Sequence, residues 1–248
     1  MQQPGPRIEQ ILDQGSGLLN EDRLAHAGSL VGVFDGASSL VPDLYSGKTG
    51  AWWASHLVAR EFARNDADLF ALGSRANKQL QLQMTALGVE QADPLQCWST
   101  SAAVCRLQPD SIEWLQTGDS LILAIDDQGA CQLLTPYHNH DRETLRQLKA
   151  LISAKVPEPR KKLRPQIEKV RLQMNRGYGC INGDSAALNF FHCGKIPLTG
   201  IKHLLIFTDG LLPPGEDPDA DPDFSWLAEL YLQGGLEKVR RTIRDMEQ

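Results

Sequence analysis

The stretch GSLVGVFDGASS, Gly28 to Ser39, decides how the rest of the chain is read. Leu30 to Phe34 is a short apolar run of the kind that forms a buried strand, and it stops on Asp35-Gly36. Asp-Gly is a routine turn. It is equally a carboxylate at the edge of a core, where its charge needs hydrogen bonds or a cation. A second case, HLLIFTDGLLPP, ends the apolar segment His203 to Phe207 on Asp209-Gly210, and LLNEDR sets Glu21 and Asp22 ahead of the first run. Either Asp-Gly pair alone reads as a turn. The repetition at the ends of the two most apolar strand candidates favours a shared metal site, because converging carboxylates repel one another. Donor sets made only of oxygen suit Mg²⁺ or Mn²⁺ better than Zn²⁺. The glycine after each aspartate lets the backbone approach closely and offer a carbonyl.

Outward from this stretch the hydrophobic period alternates. An apolar strand is expected at Ile8 to Leu12. In GKTGAWWASHLVAREFARN, Ala51, Ala54, Val58 and Phe62 share a helical face, and a second helix includes Leu80, Met84 and Leu87. STSAAVCRL, SIEWLQTG, DSLILAID and ACQLLT then read as four adjacent strands joined by tight turns, an antiparallel meander. Helices follow over Arg142 to Ser153 and Leu163 to Met174. Strands resume at Gly179 to Asn182, Ser185 to His192 and His203 to Phe207. Leu236, Val239, Ile243 and Met246 mark a closing helix. This order favours antiparallel sheets covered by helices over a regular parallel βαβ protein.

The 248 residues are 42% hydrophobic and 23% charged, enough to bury a substantial core. A net charge of −6 argues against general nucleic-acid binding. The basic run PRKKLRP, Pro159 to Pro165, reads as a solvated helix start. Neither a signal-peptide pattern nor an apolar run long enough to span a membrane is present in the sequence, so a cytoplasmic location without membrane partners is expected. Cys97, Cys105, Cys131, Cys180 and Cys193 form no Cys-x-x-Cys pair and read as reduced structural thiols.

Six elements, in order, resemble the metal-dependent PP2C-like (PPM) protein serine/threonine phosphatases. They are NED at Asn20 to Asp22, GVFDG at Gly32 to Gly36, STSAAV at Ser99 to Val104, TGDSLIL at Thr117 to Leu123, LTPYH at Leu134 to His138, and FTDGL at Phe207 to Leu211. The resemblance implies an α+β fold, a four-layer α-β-β-α sandwich of two antiparallel sheets flanked by helix pairs. It implies two Mg²⁺ or Mn²⁺ ions bridged by Asp35, with the Gly36 carbonyl beside it, Glu21 on one metal and Asp209 on the other. By the same resemblance Asp119 helps hold a weak third ion, and Asp22 is an auxiliary acid. The implied reaction is hydrolysis of phosphoserine or phosphothreonine in proteins by a metal-activated water, with a phosphorylated protein as substrate and a Ser/Thr kinase as cognate partner. The residues agree: no Cys-x5-Arg loop suggests a phosphocysteine, and FDGAS lacks the second acid of an Asp-x-Asp phosphatase. His138 reads as structural, and His26 or His56 is equally able to approach the rim.

Three departures accompany the resemblance. Gly17 stands where many relatives carry a phosphate-gripping arginine, and Arg23 follows the NED triplet. The family's Asp-Gly-His-Gly-Gly is DGASS here. Its final strand, with a metal-binding Asp-Asp or Asp-Asn, has no counterpart before RDMEQ, so a single domain over residues 1–248 lacking that strand is expected. The acidic stretch GEDPDADPDFSW, Gly215 to Trp226, fails the calcium-loop pattern and reads as an exposed loop ahead of the penultimate helix. The competing expectation is a catalytically impaired, PP2C-like pseudophosphatase serving as a regulatory binding module.

Overall fold

The computed structural model describes residues 6–15, 17–212, 217 and 219–246. Strands β1 (Arg23–Ala27) and β2 (Leu30–Gly36) precede helices α1 (Gly50–Phe62) and α2 (Leu69–Ala86). Then come β3 (Thr100–Leu107), β4 (Ser111–Thr117), β5 (Leu121–Asp126) and β6 (Cys131–Leu133). Helices α3 (Arg142–Ser153), α4 (Pro159–Lys162) and α5 (Arg164–Arg171) follow. After them run β7 (His192–Pro197), β8 (Ile201–Phe207) and α6 (Phe224–Met246). Five strands form one sheet in the order β1-β2-β3-β4-β7 and three form another in the order β6-β5-β8; every pairing is antiparallel.

Strand parity sorts the core into the layers of an α-β-β-α sandwich. In β2, Leu30 and Phe34 pack against α1 and α2 with Val58, Phe62, Leu72 and Leu80. Val31 and Val33, on the opposite face, meet Ile122 and Ile206 of the second sheet. The outer face of that sheet, through Leu121, Leu123, Leu205 and Phe207, packs against Leu227, Val239 and Ile243 of α6. The α6 backbone departs from helical geometry at Gly234 and Gly235 (φ +66°), so it is two helical segments joined at a kink. Each layer therefore has the apolar period its position requires.

Several local expectations are corrected. The four-strand meander is two hairpins, β3–β4 in one sheet and β5–β6 in the other. Gly118, at φ +80°, turns the chain between them, where a Cβ would lie 2.5 Å from that of Ser101. Ile8 to Leu12 is irregular, with all three apolar side chains more than a third exposed. Ser185 to Phe190 is a 3-10 helix capped by the Asp184 carboxylate, which accepts from the Ala186 N–H at 2.9 Å. Ile181 makes an isolated bridge to Thr100, and the helix expected over Leu163 to Met174 ends at Arg171. Of the acidic stretch, Gly215, Glu216 and Pro218 lie outside the described residues, whereas Asp219 and Asp221 pair with Arg146 and Arg142 of α3.

Among the described residues no helix is long and apolar enough to cross a membrane. The helices α3, α4 and α5 contain no buried residue. By contrast, α1 buries nine of its 13 residues.

Candidate metal centre

The same parity divides the adjacent acids of the NED triplet. Ala25 of β1 faces α1, and Leu24 faces the second sheet. Glu21, in step with Ala25, turns toward the start of α1. Its two carboxylate oxygens accept hydrogen bonds from Thr49 Oγ1 at 2.6 Å and Ser38 Oγ at 2.7 Å. Thr49 is also the α1 N-cap, where its hydroxyl accepts from the Trp52 N–H at 3.1 Å. Asp22, in step with Leu24, turns between the sheets and hydrogen-bonds to Asp35.

Asp35 reaches the same gap because it follows Val31 and Val33 on one face of β2. Asp209 arrives from the end of β8 and shares a hydrogen bond with Asp35, so Asp35 lies between two acids. Burial and then repulsion by Asp209, Asp22 and Asp119 push the Asp35 carboxyl well above the usual range. Burial and the Asp119 charge raise Asp209 to about 6, and burial also raises Asp22. Asp119 enters at the Gly118 turn. Beneath it the hydroxyls of Ser101 and Ser120 bond at 2.7 Å and tie the two sheets together.

Gly36 closes the rim from below. A Cβ there would lie 2.5 Å from the Ala51 carbonyl oxygen and 2.6 Å from that of Glu21, so only glycine lets these backbones meet. In donor chemistry the cluster fits a hard divalent cation: Asp22, Asp35, Asp119 and Asp209 offer carboxylate oxygens beside the bare Gly36 backbone. Among the described residues, however, no three His, Cys, Asp or Glu side chains are gathered around one point as ligands of an ion. Glu21 is engaged by its two hydroxyls.

One histidine that the sequence reading did not single out lies at this rim. The His140 ring stacks on Tyr178 at 3.9 Å, and its Nε2 is 3.6 Å from Asp119 Oδ2. It lies in YHNHD, a stretch with no period, and its neighbour His138 is exposed. His26 is also exposed. His56 sits on α1, its Nδ1–H donating to the Trp52 carbonyl at 2.8 Å. Gly17 is exposed and brings no guanidinium to the rim. On α5, Arg171 donates to the Ser38 carbonyl at 3.1 Å and so holds the loop after Gly36.

The sequence profile of the family described as Protein phosphatase 2C matches residues 13–245. The chain belongs to that family. Among solved structures, a bacterial serine phosphatase is similar over 94% of this chain and 88% of its own, at 16% identity and a TM-score of 0.58. The catalytic domain of the serine/threonine phosphatase PstP, in complex with two manganese ions, is 15% identical over 94% of this chain and 86% of its own, with a TM-score of 0.55. The serine/threonine phosphatase Stp1 of Staphylococcus aureus is 15% identical over 95% of this chain and 94% of its own, with a TM-score of 0.52. At these identities the likeness is one of fold. No curated protein sequence matches.

Proposed function

We propose that this chain is a divalent-metal-dependent phosphatase that removes phosphate from phosphoserine and phosphothreonine in proteins. The observation that carries the reading is the contact of Asp35 with both Asp22 and Asp209 at the ends of buried strands, with Asp119 beside them. Four acids held this close destabilise the metal-free fold at neutral pH unless a cation joins them. Asp35 and the Gly36 carbonyl would hold both ions, Glu21 one of them, Asp209 the other, and Asp119 a weaker third. Mg²⁺ or Mn²⁺, when bound, supplies activation of water and neutralisation of phosphate charge. Asp22 orients Asp35 through their hydrogen bond. To hold a cation the Asp35 carboxyl would have to be deprotonated, its proton passing to solvent, against the burial and repulsion that raise its pKa. The Ser101–Ser120 bond keeps the two sheets, and hence Asp35 and Asp119, in register. The manganese of one structural relative supports the choice of metal.

Release of phosphate from p-nitrophenyl phosphate and from a phosphothreonine peptide tests the reading. Turnover that needs Mn²⁺ and stops with EDTA is the expected result. Absence of metal-dependent turnover on both substrates overturns it.

A second reading is favoured by one observation, the engagement of both Glu21 oxygens by Thr49 and Ser38. If Glu21 stays with those hydroxyls, the chain is a pseudophosphatase that binds phosphorylated partners without turning them over. Calorimetry separates the two readings: two Mn²⁺ ions per chain support the enzyme, and none supports the binding module.

A further inference from the structure

Beside the acid rim the seam between β1 and α1 has the opposite charge. Lys48, Trp52 and His56 lie four residues apart, on one face of α1 and the turn before it. The Lys48 Nζ lies 4.9 Å from the centroid of the Trp52 ring, and that ring stacks on His56 at 3.7 Å. Arg23 lies on β1 two residues before Ala25, which faces the helix, and its charge acts on His56. Among the described residues neither Arg23 nor Lys48 makes an ion pair, although the chain as a whole is acidic.

The imidazole between them cannot take a carboxylate's place. Its Nδ1–H is spent on the Trp52 carbonyl, leaving Nε2 as an acceptor. Burial and then the charge of Arg23 lower its pKa to about 4, so it is neutral at pH 7. Lys48, over the Trp52 ring, and Arg23 thus stand near an uncharged, stacked platform with no carboxylate paired to either among the described residues. The platform is also rigid: Trp53 packs edge-on against Trp52 at 5.3 Å and donates its indole N–H to the Tyr45 carbonyl. A preformed site of this kind binds an anion without paying much ordering entropy.

Its position fixes what that anion belongs to. Lys48 adjoins Thr49, which holds Glu21, and Arg23 adjoins Asp22, which bonds Asp35. Arg23 lies about 7 Å along the extended chain from Glu21. A polypeptide whose phosphorylated residue sits at the acid rim therefore reaches Arg23 and Lys48 with side chains one to three residues away. We infer that the Arg23–Lys48 ledge over the Trp52–His56 stack is a specificity site for acidic side chains flanking the phosphoresidue of a protein substrate. The inference rests on the phosphatase reading for what occupies the rim, and on the charge of the ledge for what occupies its neighbour.

Two fluorescein-labelled phosphothreonine peptides test it, one with glutamates at the three positions on each side of the phosphothreonine and one with glutamines there. Fluorescence anisotropy in Ca²⁺, a hard cation suited to the same oxygen donors, reads binding, and Mn²⁺-supported kcat/KM reads use. Wild-type protein is expected to favour the glutamate peptide by about three- to tenfold in both, the yield of two partly exposed charge pairs. The preference is expected to weaken as salt is raised. In R23Q/K48Q, checked for an unchanged melting temperature, the glutamate-to-glutamine ratio is expected to fall to about one. Equal use and binding of the two peptides by wild type, or a preference that survives in R23Q/K48Q, overturns the inference. Turnover of p-nitrophenyl phosphate by wild type judges the phosphatase reading separately. If that fails while anisotropy still separates the peptides in a ledge-dependent way, the ledge stands and the enzyme does not.

Discussion

Glu21 and Asp35 are both acids at the edge of the same sheet, and their surroundings are opposites. At the seam of β1 with α1, Glu21 finds a hydroxyl for each oxygen, one of them the cap of a well-packed helix. In the gap between the sheets, Asp35 finds other carboxylates, and burial and their charge raise its pKa. The seam is complete as it stands. The rim is arranged against its own electrostatics, the arrangement that the proposed metal site would relieve.

Substitutions on either side sharpen this contrast. The largest effect is expected from Asp35→Asn: metal-dependent phosphate release should fall by at least about a thousandfold, on the order of 4 kcal/mol. The metal-free variant should melt no lower than wild type at pH 7.5, because an amide at this position has no charge to bury among the other acids. A variant that keeps its turnover would remove Asp35 from the centre.

On the seam side, Phe62→Ala takes a fully buried ring from α1 and should cost about 3–5 kcal/mol in denaturant unfolding, with no metal dependence of that loss. A loss that vanished in Mn²⁺ would mean that the two regions are not separate.

Linkage gives the rim its own signature. Asp35 and Asp209 have folded-state pKa values raised above their unfolded ones. Their contribution to stability is full below about pH 4. For Asp209 it is lost as pH rises through about 6, and for Asp35, raised well above the usual range, as pH rises through its own folded value. A cation binds the deprotonated acids. The melting-temperature gain from Mn²⁺ should therefore be larger at pH 7.5 than at pH 5, reaching roughly 5–10 °C at a hundredfold excess over Kd. An equal gain at both pH values would break the assignment of the ion to these acids.

Thr49→Val should cost about 1–2 kcal/mol, since it removes the α1 cap and one Glu21 partner together. Urea titration reads that loss, and an unchanged midpoint would show that the cap is idle. Ile152→Ala, on the exposed face of α3 outside both regions, should change stability by less than about 0.5 kcal/mol. A larger loss there would show that α3 is packed more firmly than its exposure indicates.

The parts legible in the sequence are those with a period. Leu30 to Phe34, the α1 and α2 faces and the Asp-Gly strand ends follow from spacing alone, and the six ordered elements pointed to the layers of the sandwich. The passage of the chain between sheets at Gly118 was not legible, because two hairpins and one meander carry the same strand-and-turn pattern. Ser185 to Phe190 is apolar enough for a strand, and the Asp184 cap, a local hydrogen bond, decides for the 3-10 helix. The opposite destinations of Glu21 and Asp22 depend on which face of β1 meets α1, a tertiary fact. His140 reaches Asp119 through a stack on Tyr178, 38 residues further along the chain by position, and no local pattern announces it.

Gly36 has a consequence for how this chain can vary. Each of the other residue types would place a carbon within 2.5 to 2.6 Å of two carbonyl oxygens that belong to different elements, the first turn of α1 and the segment ahead of β1. Neither oxygen can retreat without moving a helix or the NED triplet. In terms of mutational access the position is closed in every direction, whichever residues stand at the acids around it. A glycine kept at this place is evidence of the fold, and only the acids around it are evidence of the chemistry.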